Sequence, residues 1–186
     1  MAKAVFIDRD GTINKEVNYL FKPSDFEFIP GAADAIKVFH DLGYLVIVIT
    51  NQAGVAKGYY TEDDVKTLHC YIDEQLSKSD TYIDAYYYCP HHPEGVIPEY
   101  KTVCDCRKPA IGMIIKAKND FYDKGIDILL SESIMIGDKE LDVEAGKNSG
   151  IGKCILVRSG HDFMLKNSGA DEFYNSIFEY AQIIQI

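Results

Sequence analysis

Three absences limit what this protein can be. No apolar run in the 186 residues approaches the roughly 20 needed to cross a bilayer, so we expect no membrane partner. Lysine and arginine number only 19 against 29 aspartates and glutamates. The resulting net charge of −10 argues against a nucleic-acid partner, because binding to a phosphate backbone depends on clustered cations. Room for a signal peptide is also missing, since the first three residues lead directly into an apolar segment, and we therefore expect a cytoplasmic location.

The length of the chain suits one well-filled core and is short for two. We therefore expect a single domain over residues 1–186, acting as a monomer. Five cysteines without a secretory signal are expected to be thiols or metal ligands rather than a disulfide framework. Two of them, Cys70 on a predicted helix and Cys154 on a predicted strand, are interpreted as small buried hydrophobic residues.

Apolar runs of strand length alternate with segments in which apolar residues recur at helical spacing. This alternation predicts an α/β fold, a doubly wound and mainly parallel sheet with helices on both faces. A long irregular connection over residues 11–28 is predicted to be an active-site flap. Strands are expected at residues 4–7, 45–49, 82–89, 133–136, 154–157 and 172–174, and helices at residues 32–39, 61–77, 110–124, 140–148 and after residue 175.

Polar residues follow three of the predicted strands. Asp8 and Asp10 follow the first, Thr50 ends the second, and Asp138 follows a later one. Because parallel strands bring their carboxyl ends to one edge of a sheet, the three acids can supply oxygen ligands for Mg²⁺, and the Thr50 hydroxyl suits a phosphate oxygen. The alternative for the first pair is a loop with two solvated aspartates.

A cysteine and histidine segment precedes the pair Arg107 and Lys108. The patterns Cys-x-His at 89–91 and Cys-x-Cys at 104–106 provide three sulfurs and an imidazole, enough for a closed tetrahedral zinc site with a structural role. His92 competes with its neighbour as the fourth ligand, and an unrelated cluster is the alternative. Zinc at this site would hold the loop that carries Arg107 and Lys108, whose positive charges suit a phosphate group. The alternative for these two residues is an exposed basic pair with no ligand.

Taken together, these motifs resemble those of the haloacid dehalogenase-like phosphohydrolases. The resemblance rests on Asp-x-Asp-Gly-Thr at 8–12, on Thr50, on Lys108 ahead of a helix, and on Gly-Asp-x-x-x-Asp at 137–142. It implies a phosphatase fold without a large cap and with a zinc-clamped loop insert. We hypothesise that Asp8 attacks phosphorus to form an aspartyl-phosphate and that Asp10 is the general acid and base.

A finer resemblance is to the D-glycero-D-manno-heptose 1,7-bisphosphate phosphatases and the related histidinol-phosphate phosphatases. It is carried by residues 6–14, 50–54, 89–93 and 104–109, and the long insert between the two halves of the cysteine segment is similar to that of the heptose enzymes. This implies removal of the C7 phosphate from a small sugar bisphosphate, in nucleotide-heptose synthesis for lipopolysaccharide core or a surface glycan. The alternative is histidinol phosphate or another small sugar phosphate.

The same resemblance assigns roles to individual residues. The Mg²⁺ ligands it implies are Asp8, the backbone carbonyl of Asp10, and Asp138. The zinc ligands it implies are Cys89, His91, Cys104 and Cys106. Where the family often has glycine before the flap tyrosine, this chain has Asn18. The implied substrate contacts are Thr50, Asn51, Gln52, Arg107, Lys108, Lys139, Glu16, Asn18 and Tyr19.

Two further hypotheses give the chain no catalytic turnover. A phospho-receiver domain also gathers acids, a threonine and a lysine around Mg²⁺, but such domains are shorter and have no use for a zinc loop. A zinc-dependent interaction module would account for the cysteine segment and leaves Asp8, Asp10 and Asp138 unexplained.

Overall fold

The computed structural model describes residues 1–160 and 168–185. Its strands are β1 (Lys3–Ile7), β2 (Tyr44–Asn51), β3 (Ala85–Cys89), β4 (Ile134–Gly137), β5 (Lys153–Val157) and β6 (Glu172–Tyr174). Its α-helices are α1 (Ala32–Asp41), α2 (Ala53–Ala56), α3 (Glu62–Ser77), α4 (Gly112–Tyr122), α5 (Glu140–Ser149) and α6 (Ile177–Ile184). Short 3-10 turns lie at Pro23–Asp25 and Leu130–Glu132.

The six strands form one parallel sheet in the order β3-β2-β1-β4-β5-β6. Side chains of the central strand β1 alternate between its faces, as period-two geometry requires. Val5 and Ile7 join a core with α1, α3 and α6, whereas Ala4 and Phe6 join a second core with α4 and α5. Both faces are therefore covered, and the predicted doubly wound fold is confirmed.

Local sequence signals account for most of the boundaries. Helix α3 begins with a capping box, in which the Thr61 hydroxyl accepts from the N–H of Asp64 and the Asp64 carboxylate accepts from the N–H of Thr61. Gly43, with φ of 79°, follows α1 and permits the turn into β2. The third strand is shorter than predicted, because Asp84 uses its carboxylate to accept from the N–H of Val46 at 2.7 Å just before the ladder begins.

The two isolated cysteines have different environments. Cys154 on β5 is buried, as predicted. The prediction for Cys70 was wrong, since this residue is exposed. The buried face of α3 is formed by residues at helical spacing, and Cys70 falls outside that stripe.

The strand order places the switch in winding direction between β1 and β4, which is where parallel α/β sheets bind ligands at their carboxyl ends. Asp8 follows β1 and Asp138 follows β4 at this point. The connection over residues 11–28 begins at this point. A bridge from Asn14 to Asp10 joins it to the end of β1, and a second bridge, from Asn14 to Phe28, joins its own two ends. Within the described ranges, no helix combines the length and apolar character needed to cross a bilayer.

Candidate active site

A cavity of about 270 Å³ opens at the carboxyl edge of the sheet. Both predicted catalytic acids and all the predicted substrate contacts line it. Sequence reasoning missed five lining residues, which are Ala53, Lys57, Tyr60, His92 and Leu141. The first two flank the short helix α2, since Ala53 is its first residue and Lys57 follows its last, so their closeness to Thr50 in the sequence was the available signal.

The centre of the cavity floor is an ammonium group with three acceptors. Lys108 Nζ lies 2.7 Å from Asp8 Oδ1, 2.6 Å from Asp142 Oδ1 and 2.8 Å from the carbonyl oxygen of Ile49. The contacts with Asp8 and Ile49 are hydrogen bonds and the contact with Asp142 is an ion pair, so three oxygens hold the ammonium in place. Burial opposes the charge, yet the carboxylates of Asp142 and Asp8 outweigh it and raise the pKa of Lys108. This lysine is a buried, fixed positive charge and not part of an exposed basic pair.

Three buried carboxylates cluster beside that lysine, two of them in contact with it. Asp8, Asp138 and Asp142 each place an oxygen within 4.8 Å of the others. The pKa of Asp138 is raised to about 8, mainly by burial and next by the negative charge of Asp8. Such mutual repulsion is what a divalent cation with a preference for oxygen ligands relieves, so these residues fit Mg²⁺. The backbone of Gly11 and Gly160 lies so close to the Asp138 carboxylate that a Cβ at either glycine would collide with it.

Asp142 was part of the recognised motif but received no role from the sequence. Both of its oxygens are engaged within the protein, Oδ1 by Lys108 and Oδ2 by the N–H of Lys139 at 3.1 Å. It therefore anchors the lysine and the start of α5. Its spacing of four residues from Asp138 marks it in the sequence as part of the motif, but does not indicate its partner.

The side chain of Asp10 belongs to a separate network. Its carboxylate accepts hydrogen bonds from Arg9, from Asn14 at 3.0 Å and from Gln52 at 3.0 Å. Burial alone would raise the pKa of Asp10, but the charge of Arg9 and the two amide hydrogen bonds outweigh it and lower that pKa. Asp10 is thus a carboxylate at rest, which suits a group that removes a proton from water.

Two amides at the end of β2 are engaged inside the protein although both residues line the cavity. The Asn51 side chain accepts from the N–H of Lys108 and donates to its carbonyl. The Gln52 side chain donates to Thr50 Oγ1 at 2.8 Å and accepts from the Tyr60 hydroxyl at 2.6 Å. Their direct effect in this structure is to hold Lys108, Asp10 and Thr50 in place.

The flap contributes the opposite wall. Glu16 pairs with Lys139 at 3.0 Å, and Tyr19 accepts a hydrogen bond at 2.6 Å from Lys57. Burial opposes the charge of Lys139, but Asp138 and Glu16 outweigh it and raise its pKa. Arg107 donates at 3.4 Å to the carbonyl of His91. With Lys108, four cations surround the cavity of a chain whose net charge is strongly negative.

Beside this wall, the cysteine and histidine side chains converge. Sγ of Cys106 lies 3.0 Å from Sγ of Cys89, 3.2 Å from Sγ of Cys104 and 3.4 Å from Nδ1 of His91. A tetrahedron around zinc, with bonds of about 2.0 to 2.3 Å, has edges of roughly 3.3 to 3.8 Å. The distances from Cys89 Sγ to Cys104 Sγ (3.5 Å) and to His91 Nδ1 (3.8 Å) agree with this range, whereas the two sulfur contacts of Cys106 are shorter. The four ligand atoms lie within 4.8 Å of one another, which is compatible with a zinc site. His92 lies outside the cluster, and its Nδ1 accepts from the N–H of Glu94.

Comparison with protein families gives one match along almost the whole chain. The family described as polynucleotide kinase 3 phosphatase matches residues 3–186. Curated relatives carry a more specific name. A Photorhabdus laumondii protein named D-glycero-alpha-D-manno-heptose-1,7-bisphosphate 7-phosphatase is 42% identical over 98% of this chain and 97% of its own length. An Escherichia coli K12 protein, named for the beta anomer of the same compound, is 39% identical over 98% of this chain and 93% of its own.

Solved structures agree on the fold. A HAD-like phosphatase from Mesorhizobium loti superposes with a TM-score of 0.83 at 29% identity, covering 99% of this chain and 86% of that one. A second structure is a D,D-heptose 1,7-bisphosphate phosphatase from B. bronchiseptica complexed with magnesium and phosphate. It superposes with a TM-score of 0.79 at 24% identity, covering 98% of this chain and 97% of that one. From the family match and these relatives, the chain belongs to the polynucleotide kinase 3 phosphatase family of haloacid dehalogenase-like phosphatases.

Proposed function

We propose that this protein is a Mg²⁺-dependent phosphatase that removes the C7 phosphate of D-glycero-D-manno-heptose 1,7-bisphosphate. The proposal includes a single domain over residues 1–186, a monomer and a cytoplasmic location. Its place would be in nucleotide-heptose synthesis for lipopolysaccharide core or a surface glycan. The substrate is carried over from the names of relatives that match along nearly their whole length.

The observation that carries the proposal is the position of Lys108 Nζ, 2.7 Å from Asp8 Oδ1, on the floor of a cation-lined cavity. A carboxylate that attacks a phosphate monoester meets like-charge repulsion of roughly 1 to 4 kcal/mol for each charge pair at contact distance. A fixed ammonium beside the attacking oxygen offsets that repulsion and costs no reorganisation during the reaction.

In this mechanism Asp8 attacks phosphorus in line with the leaving sugar oxygen, and the P–O bond to the sugar breaks as the aspartyl-phosphate forms. Asp10 donates a proton to the leaving oxygen. It then accepts a proton from the water that attacks the aspartyl-phosphate, which releases inorganic phosphate and restores Asp8. The lowered pKa of Asp10 favours the second of these roles. In the first role, the proton that Asp10 donates is one that it takes up from solvent before the P–O bond breaks.

Metal ions have two separate sites in the proposal. Asp8, Asp138 and the backbone carbonyl of Asp10 would hold Mg²⁺, which when bound neutralises charge on the carboxylates and on the phosphoryl oxygens. The cluster formed by Cys89, His91, Cys104 and Cys106 would hold zinc. Four protein ligands leave no open position, so this second metal would be structural.

Substrate contacts divide into two groups. Thr50, Asn51 and Lys108 would surround the transferring phosphoryl group, with Gln52 behind them. Glu16, Asn18, Tyr19, Arg107 and Lys139 would contact the rest of the molecule. Lys57 joins this second group, because its ammonium lies at the flap side of the same cavity, hydrogen-bonded to Tyr19. The cations of this group suit the second phosphate of a bisphosphate.

The test is phosphate release, with Mg²⁺, from each purified anomer of heptose 1,7-bisphosphate and from histidinol phosphate. We expect kcat/KM to be at least 100-fold higher for one heptose anomer than for histidinol phosphate. The reverse order would assign the chain to histidinol phosphate. The relatives are named for different anomers, so the assay must include both.

The Asp8→Asn variant tests whether phosphate release depends on Asp8 as the nucleophile. It should retain the fold and abolish release from every substrate. A phosphoryl adduct that persists on the wild-type protein without multiple turnover would favour a phospho-receiver function instead.

A further inference from the structure

The proposed chemistry makes no use of Arg9, which lies between the two catalytic acids in the sequence. Its side chain is 0% exposed and is the largest of the fully buried side chains among the described residues. A guanidinium stays charged in proteins, so burying one is costly unless its donors are matched. The position of Arg9 therefore calls for an explanation.

The guanidinium of Arg9 forks around the carboxylate of Asp10. Nη2 lies 2.8 Å from Oδ2, and Nε lies 3.2 Å from Oδ1. A two-point contact of this kind sets the plane of the carboxylate as well as its position. Nη2 also lies 3.3 Å from the carbonyl oxygen of Leu20, which connects the same group to the flap.

The remaining end of the guanidinium contacts a histidine. Nη1 lies 3.3 Å from Nε2 of His69, which is 5% exposed on α3. Because a guanidinium only donates, Nε2 must accept, which assigns the His69 proton to Nδ1. The pKa of His69 is lowered to about 3, mainly by burial and next by the positive charge of Arg9, so the imidazole stays neutral.

The imidazole is itself fixed from the other side. Its ring stacks on Tyr86 with a centroid distance of 4.3 Å and an angle of 15°, and the Tyr86 hydroxyl donates at 2.7 Å to Asp73. A connected series thus leads from α3 through His69 and Arg9 to Asp10. The Asp10 side chain is 18% exposed and reaches the cavity, whereas that of Arg9 is wholly enclosed.

We infer that Arg9 is a positioning residue for Asp10, held in place by His69, and that it aims the Asp10 carboxyl at the leaving-group oxygen. The inference rests on the proposed phosphatase function. A lysine at this position would keep the charge but replace the planar fork by a single point of contact.

The experiment compares two phosphate esters in Arg9→Lys and in the wild type. A sugar phosphate needs a proton on its leaving oxygen, whereas 4-nitrophenyl phosphate releases a stable phenolate without one. The parameter is kcat/KM, because it covers the steps up to formation of the phosphoenzyme and excludes its later hydrolysis. We expect kcat/KM to fall about 100-fold for heptose 1,7-bisphosphate, within the range typical of general acid catalysis, and less than fivefold for the aryl ester.

A second pair of variants keeps the test valid if Arg9→Lys does not fold. His69→Leu removes the acceptor of Nη1, and His69→Gln supplies another through its amide oxygen. The leucine variant should show the same selective loss for the sugar phosphate, and the glutamine variant should recover most of it. His40→Gln is the matched control, because His40 also joins a hydrogen-bond network, with Thr81 and Asp84, at the opposite edge of the sheet.

Equal losses on both esters in folded Arg9→Lys and His69→Leu would overturn the inference and assign Arg9 a structural role only. That result would leave the proposed function intact. If the wild type releases phosphate from neither ester, the proposed function fails, and the inference fails with it. The two failures are therefore distinguishable by the wild-type activity alone.

Discussion

The side-chain amide of Asn51 pairs with both backbone groups of Lys108, accepting from its N–H at 3.0 Å and donating to its carbonyl at 3.1 Å. Residues 57 positions apart in sequence are joined in this way at the end of β2. The contact fixes the backbone from which the lysine reaches Asp8. Positioning of the Lys108 ammonium thus depends on a side-chain amide at the end of β2.

Asn51→Ala should therefore lower activity by displacing Lys108. Two hydrogen bonds of roughly 1 kcal/mol each are lost, which predicts a fall in kcat/KM of about 10- to 100-fold. Steady-state phosphate release measures this. Asn148→Ala, on the exposed surface of α5, is the matched control and should leave kcat/KM unchanged. An Asn51→Ala enzyme of wild-type activity would contradict the positioning role.

The two proposed catalytic acids, Asp8 and Asp10, should differ when each is replaced by its amide. Asp8→Asn removes the nucleophile and should abolish turnover; a loss of less than about tenfold would rule out that assignment. Asp10→Asn should slow both chemical steps, while Mg²⁺ affinity, measured by calorimetry, stays within about threefold, since only the backbone of Asp10 is assigned to the metal.

Replacing a ligand of the cysteine cluster should remove zinc and loosen the loop that carries Arg107 and Lys108. Cys104→Ser is expected to lower the zinc content measured by elemental analysis, to lower Tm, and to reduce kcat/KM with saturating Mg²⁺ present. Cys70→Ser is the control, because that cysteine is exposed and away from the cluster. Wild-type protein that contains no zinc and loses nothing on chelation would exclude the structural metal.

His69 should make stability depend on pH. Its folded pKa of about 3 lies below the ordinary value of 6.5, so between these values the unfolded chain binds more protons. The free energy of unfolding should therefore fall as pH drops below about 6.5, by up to roughly 1.4 kcal/mol per pH unit from this group. Urea unfolding at pH 7.5 and 5.5 should show a loss about 1 kcal/mol smaller in His69→Gln than in the wild type. Identical losses would contradict a buried neutral imidazole.

Lys57 should matter only for substrates with a second phosphate. Lys57→Met is expected to raise KM about tenfold for heptose 1,7-bisphosphate, a difference of about 1.4 kcal/mol, and to change KM little for a heptose 7-monophosphate. Lys37→Met, an exposed lysine on α1, serves as the control. Equal increases for both substrates would place Lys57 elsewhere in the site.

Sequence patterns alone predicted the α/β class, the two-sided packing of the sheet and most of its elements, because hydrophobic periodicity and capping signals are local. They also predicted that Asp8, Asp10 and Thr50 reach one edge of the sheet, because parallel strands bring their carboxyl ends together there. The flap residues and Lys139 came from the family resemblance, and five residues that line the cavity were missed. The start of β3 and the exposure of Cys70 were missed. The first depends on Asp84 meeting Val46 of another strand, and the second on which face of α3 the sheet covers.

Only the tertiary structure decided how the polar side chains are paired. The order of residues does not indicate that Asp142 pairs with Lys108. Nor does it indicate that the side-chain amides of Asn51 and Gln52 form hydrogen bonds within the protein, or that His91 rather than His92 joins the three sulfurs. The same is true of Arg9, whose place in the sequence suits an exposed cation equally well. The sequence determined which chemical groups reach the carboxyl edge of the sheet; their partners were decided by distances of about 3 Å between segments far apart in the chain, and local patterns do not encode such distances.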